Sequence, residues 1–149
     1  MENKTNQVAV VVNGRDLPMS NKTAMILCKV IKTKKIEPSI KLLERVMEEK
    51  IGISFAKGKV KTGNNGLKYP VNAAGIFVKL LKSLSANATV KGLDPSKIII
   101  HARADIAPRP NRPGRRPVKF KRTHVTLEGS VEKTAVAPAQ PSPVTGAKK

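Results

Sequence analysis

The chain has 149 residues, room for one domain with a modest core plus extensions. Its 29 lysines and arginines against 10 aspartates and glutamates give a formal charge of +19, which repels itself and calls for a polyanionic partner, nucleic acid first. The single Cys28 excludes an internal disulfide or a multi-cysteine zinc site, no apolar run approaches the roughly 18 residues that span a bilayer, and the polar start MENKTNQ is no secretory signal, so a cytoplasmic protein without a membrane partner is expected.

In chain order, residues 1–7 are polar and predicted to be loose, QVAVVV at 7–12 predicts a short strand, and Asn13-Gly14 in NGRD predicts a turn. Ser20 is a natural N-cap for a first helix whose apolar stripe is Ala24, Leu27, Cys28 and Ile31, with Lys22, Lys29 and Lys32 off that stripe. A second helix is predicted to start near Glu37 with Pro38 in its first turn, Ile36, Ile40, Leu43 and Met47 as its buried stripe, and Glu37 one turn before Lys41. Residues 51–68, IGISFAKGKVKTGNNGLK, are basic and glycine-rich without a period, so a long loop is expected, with Lys57, Lys59 and Lys61 as phosphate contacts. The third helix spans about 70–90 with Ala73, Phe77, Leu80, Leu81, Leu84 and Ala88 on its apolar face and Gly92 at its end; it is expected to be the central core helix.

After the turn LDPSK, two strands, KIIIHARA and VKFKRTHVTL, flank a stiff cationic loop and make a hairpin over 97–128. The loop tip at 108–117 holds four arginines, four prolines and one glycine, and six of the eight arginines in the chain lie within 103–122. Planar multi-donor guanidinium groups suit phosphate, so Arg103, Arg109, Arg112, Arg115, Arg116 and Arg122 are expected to contact RNA, with Lys119, Lys121, Thr123 and His124 on the return strand and Lys22, Lys29 and Lys32 on the first helix. Strands of about ten residues reach about 33 Å, more than so small a core covers, so the distal part is expected to protrude. The apolar parity changes between Val118/Phe120 and Val125/Leu127, which predicts a bulge or a change of surroundings near Arg122. With three Phe, one Tyr and no Trp, stacking of bases on an aromatic platform is not the expected mode. The Pro/Ala/Ser-rich segment 130–149 has the composition of a disordered tail.

Several segments, SNKTA (20–24), KIEPSIKLLERV (35–46), YPVNAAGIFVKLLKSLSANATVKGLD (69–94) and RTHVTLEG (122–129), resemble in collinear order the universal large-subunit ribosomal protein family numbered twenty-two in the bacterial scheme, in its archaeal and eukaryotic form. The resemblance implies an α+β domain over 8–129, with three helices on a three-stranded antiparallel sheet, QVAVVV as its third strand and a long hairpin. It also implies a structural role: binding large-subunit rRNA, supporting its assembly, and sending a hairpin tip (Pro110, Asn111, Arg112, Pro113, Gly114, Arg115) to the nascent-peptide exit tunnel beside neighbouring ribosomal proteins. Two departures stand out. The segment between His101 and Thr123 is several residues shorter than in related archaeal hairpins, and Lys32-Thr33 stands where the family usually has Arg-Gly.

The alternative carried by charge alone is a general DNA- or chromatin-binding protein. His101 and His124 on opposite strands, with Cys28, match no metal-ligand spacing, and hydrogen bonding to RNA or backbone is the expected role of the histidines. KGKVKTGNNG lacks the order of a nucleotide-binding loop, and no Ser/His/Asp or Cys/His arrangement or carboxylate pair is present, so no enzyme activity, cofactor, metal or small-molecule substrate is expected.

Overall fold

The computed structural model describes residues 8–55, 66–114 and 118–131. Strands β1 (Val8–Leu17), β4 (Ile98–Ile106) and β5 (Thr123–Val131) form one antiparallel sheet in the order β1-β5-β4, and a two-stranded ribbon pairs β2 (Ile53–Ser54) with β3 (Leu67–Lys68). Helices α1 (Asn21–Ile31), α2 (Ile36–Met47) and α3 (Val71–Val90) supply the second layer. Period-2 patterning assigns the faces. Val10, Ile98, Ile100, Val125 and Leu127 point into the core with Leu27, Ile31, Leu43, Phe77, Leu81 and Leu84, whereas Asn13, Arg103, Thr126 and Glu128 lie on the uncovered face. The expected α+β class, with three helices on a three-stranded antiparallel sheet, is what the structure has.

The stripe of α1 is buried as its spacing predicts, but Ser20 caps through its backbone alone, its carbonyl accepting the Ala24 N–H at 3.0 Å. The buried face of α2 is turned from the expected one: Ser39 and Val46 are buried, Ile40 is half-buried and Met47 is 39% exposed. Ser39 tolerates burial because its Oγ donates to the Lys35 carbonyl at 2.7 Å. No ion pair joins Glu37 to Lys41; Glu37 Oε1 instead accepts from Ser96 Oγ at 3.3 Å. Helix α3 packs against α2 and β1 and carries the largest buried side chain, Phe77. It stops in a reciprocal pair of bonds, Leu93 N–H to the Ala88 carbonyl at 3.0 Å and Gly92 N–H to the Thr89 carbonyl at 2.9 Å, a geometry that needs the left-handed φ of 69° at Gly92.

Asn13 and Gly14 do not form the expected turn. Both are in β1, paired with Thr126 and Val125, because the bare Gly14 lets Leu17 and Leu80 close over the strand; a Cβ there would sit 2.9 Å from Leu17 Cδ1. The turn-forming residues that follow make a bulge instead. Arg15 and Asp16 stand between the pairs Gly14–Val125 and Leu17–Thr123, opposite His124 alone, with Asp16 at φ 52°. The segment 51–68 is not wholly loop either, since its ends pair as β2 and β3 and Phe55 N–H reaches the Gly66 carbonyl at 2.9 Å.

The Lys32-Thr33 departure has a structural cost. Thr33 sits at φ 66°, where a β-branched residue is strained, held there by its N–H bond to the Ile100 carbonyl at 2.9 Å, which with Ile100 N–H to the Lys34 carbonyl covers the outer edge of β4. Thr33→Gly relieves roughly 1–2 kcal/mol of left-handed strain against about 0.5–1 kcal/mol of added backbone entropy in the unfolded chain, so a net gain of about 0.5–1 kcal/mol is expected in urea unfolding. An unchanged midpoint would mean that the strain is no larger than this entropy cost.

The return strand starts at Thr123, not at 118, and runs through Ser130 and Val131 to pair with Ile99 and Ile98, past the expected end of the hairpin at 128 and of the domain at 129. Of the residues expected to form a tail, 132–149 lie outside the described residues, as do 1–7. Beyond the Ile106–Thr123 pair, Pro108 and Pro110 cannot donate to a ladder, and only isolated bonds continue: Ala107 N–H to Arg122 O at 3.3 Å, Phe120 N–H to Pro110 O at 2.9 Å and Arg112 N–H to Val118 O at 2.8 Å. Asn111 faces Lys119, so residues 107–110 oppose only 120–122: the irregularity lies opposite Arg122, with the extra residue on the outgoing chain rather than on the return strand where the parity switch was expected.

Candidate nucleic-acid interface

The hairpin beyond the sheet is almost bare of apolar packing. Arg109, Pro110, Asn111, Arg112, Pro113, Gly114, Lys119 and Lys121 are all exposed, and Gly114 turns the chain with φ 130°. The two salt bridges among the described residues, Lys50–Glu48 and Lys97–Asp94, are local, and none of Arg103, Arg109, Arg112 and Arg122 forms an ion pair among those residues. Arg115 and Arg116, like Lys57, Lys59 and Lys61, lie outside the described residues.

Phe120 organises the stem. The Arg112 guanidinium lies 4.6 Å from its ring centroid and that of Arg122 5.9 Å, so the ring that sequence reasoning set aside as a base platform carries two arginines. Arg122 is half-buried and donates through Nη1 to the Asp16 carbonyl at 3.1 Å, while His124 Nδ1 accepts the Asp16 N–H at 3.2 Å. The root of the hairpin therefore grips the bulge of β1 at both ends of one residue. Sequence reasoning missed Asp16 and Phe120; the one available signal was that Phe120 is the sole aromatic residue between 97 and 131, two positions from an arginine.

Cation–π contacts at exposed sites are worth about 0.5–1 kcal/mol each. Phe120→Leu should therefore weaken RNA binding by a few-fold through looser arginines while leaving the salt dependence of binding unchanged, because no charge is lost. Binding isotherms at several salt concentrations check this, and Phe120→Tyr should restore wild-type affinity.

Thr123 departs from expectation. It is 0% exposed, and its Oγ1 donates to the Met19 carbonyl at 3.0 Å, so it ties the sheet to the start of α1 and has no surface to offer a ligand. Lys22, Lys29 and Lys32 are exposed, but α1 lies in the helix layer, on the opposite side of the sheet from Arg103 and His124. The histidines do not face each other: His101 is opposite Glu128 and His124 opposite Asp105. Cys28 is in the core, where burial chiefly, with Asp105 adding to it, pushes its thiol up to about 12 against a weaker opposing backbone hydrogen bond. No helix among the described residues is long and apolar enough to cross a membrane.

Fold and side chains define a class: a small basic α+β domain whose sheet continues into a proline-stiffened hairpin carrying uncompensated arginines, an architecture suited to polyanions. Within that class the chain belongs to the family described as ribosomal protein L22p/L17e, whose model matches residues 12–127. Relatives named large ribosomal subunit protein uL22 include those of Archaeoglobus fulgidus, 42% identical over 99 residues covering 61% of this chain and 64% of the relative, and Ignicoccus hospitalis, 42% identical over 97 residues covering 58% and 61%. The Staphylothermus marinus protein of the same name is 35% identical over 129 residues, covering 75% of this chain and 82% of its own length. The matches thus span under two thirds of the first two relatives and most of the third.

Proposed function

We propose that the chain is a structural component of the large ribosomal subunit that binds the subunit's RNA and supports its assembly, a binding rather than a catalytic role. The carrying observation is the hairpin stem, where Arg109, Arg112 and Arg122 stand on a proline-stiffened scaffold with no ion-pair partner among the described residues. Membership of a ribosomal protein family supports the choice of ribosomal RNA over other polyanions. The exposed tip at Pro110, Asn111, Arg112, Pro113 and Gly114, with Arg115 following in the sequence, extends towards the nascent-peptide exit tunnel, beside neighbouring ribosomal proteins, and the site of action is the cytoplasmic ribosome.

The test is cosedimentation of the full chain with large subunits after a high-salt wash, compared with retention on duplex DNA. Retention on subunits but not on DNA is expected. Loss from subunits at moderate salt together with equal duplex binding would replace this reading with a general DNA- or chromatin-binding one. A photocrosslinker at Asn111 is expected to capture a stalled nascent chain, and capture of rRNA alone would end the tip's path short of the tunnel.

A further inference from the structure

The geometry points to a nucleobase-reading site at the hairpin root: the groove between the β1 bulge and the hairpin seats a single unstacked base of RNA, and its hydrogen-bonding pattern selects guanine. This inference rests on the RNA-binding reading above and deepens it. The groove measures about 470 Å³ and is lined by Asn13, Arg15, Asp16, Pro108, His124 and Thr126, among others. That volume falls in the range of about 300–1,000 Å³ typical of small-ligand sites. It lies on the uncovered face of the sheet, where Thr126 stands opposite both Asn13 and Arg103.

Two features set it apart from a solvated basic surface. The first is its rigidity. Asp16 adopts a left-handed backbone, uncommon outside glycine, and is held in it by the His124 and Arg122 bonds from more than a hundred residues away. Strained backbone fixed from both sides is characteristic of ligand-holding segments. The second is its charge pattern. A surface built only for phosphate has no use for a carboxylate, yet Asp16 places one beside Arg15, and among the described residues neither side chain has an ion-pair or hydrogen-bond partner within the protein.

An ionised carboxylate only accepts, with two oxygens side by side. Guanine alone among the four bases presents two adjacent donors, N1–H and N2–H2, on its Watson–Crick edge; adenine and cytosine set an acceptor beside their amino group and uracil flanks its N–H with two carbonyls. Single-stranded RNA is read through these edges. The Arg15 guanidinium, the Asn13 amide, the Thr126 hydroxyl and the His124 Nε2–H supply donors for O6 and N7, since Nδ1 of the neutral imidazole is occupied as an acceptor. Pro108 offers a flat apolar wall for the face of the base.

The test titrates the isotopically labelled full chain with GMP, AMP, CMP, UMP and inorganic phosphate and follows backbone amide shifts. GMP is expected to move Asn13, Asp16, His124 and Thr126 and to bind roughly tenfold more tightly than the other nucleotides. Asp16→Asn keeps a residue that tolerates the left-handed backbone and adds one unit of positive charge, so it should abolish the guanine preference while phosphate affinity holds or rises. Equal binding of all four nucleotides, shifts confined to the hairpin arginines, or retained guanine preference in the variant would each overturn the site. Failure of the wild-type chain to bind rRNA at all is a separate result and would instead refute the RNA-binding reading.

Discussion

Replacing Arg103, Arg109 and Arg112 together by alanine is expected to weaken binding to large-subunit rRNA by about two orders of magnitude at low salt. All three side chains are exposed and form no ion pair among the described residues, so their charge is available to phosphate. Charge-assisted contacts contribute about 1.5–3 kcal/mol when desolvated and less when exposed; roughly 1 kcal/mol each gives the hundredfold loss. The diagnostic quantity is the slope of log affinity against log salt, which should fall by about 0.7–0.9 for each phosphate contact removed, or about 2.1–2.7 for the triple variant. Because the three guanidinium groups are exposed and make no hydrogen bond among the described residues, and the Arg112–Phe120 contact is worth only about 0.5–1 kcal/mol, thermal unfolding should stay close to wild type. A triple variant with wild-type slope would mean that the hairpin does not meet phosphate. Alanine at Lys22, Lys29 and Lys32 offers an internal comparison: these lie across the sheet from Arg103, so any slope change they produce should add to that of the hairpin.

What could be read from the sequence followed from local periodicity. The stripes of α1 and α3 were legible because helical spacing reports directly on burial, and the arginines were legible by their density. The errors all have a non-local cause. Asn13-Gly14 carries the chemistry of a turn, but Leu80 on α3 packs over Gly14, and that contact is invisible from the dipeptide. Alternation at 118–122 looks like strand, yet a strand needs a donor opposite, and Pro108 and Pro110 occupy the facing chain. Ser130 and Val131 look like the start of a tail until Ile98 and Ile99 pair with them. Thr123 was assigned to RNA by proximity to arginines, whereas its strand parity turns it inward to Met19. Asp16 escaped notice altogether, because its position exists only where a bulge near the start of the chain meets a hairpin near its end.

That division between local and non-local determinants predicts that stability and recognition can be lost separately. Phe77→Ala is expected to destabilise the domain by about 3–5 kcal/mol, the range for emptying a buried phenylalanine site. Phe77 is 0% exposed and lies on α3 among side chains from both layers, so little can collapse into the space it leaves. Against a total of about 5–15 kcal/mol for an ordinary domain this is a large share, and the melting temperature should fall by about 15 °C or more. Yet Phe77 lies within the helix-sheet core, while Arg109, Arg112 and Arg122 lie beyond the last pair of the sheet, Ile106–Thr123, and Arg103 lies on the uncovered face of β4. At a temperature where the variant is still folded, its salt slope on rRNA should therefore equal the wild-type value. Far-ultraviolet circular dichroism melts paired with salt-dependent binding test both halves. A reduced slope in a fully folded Phe77→Ala chain would show that the hairpin takes its shape from the core, and a melting point within a few degrees of wild type would show that α3 is not the central element of that core.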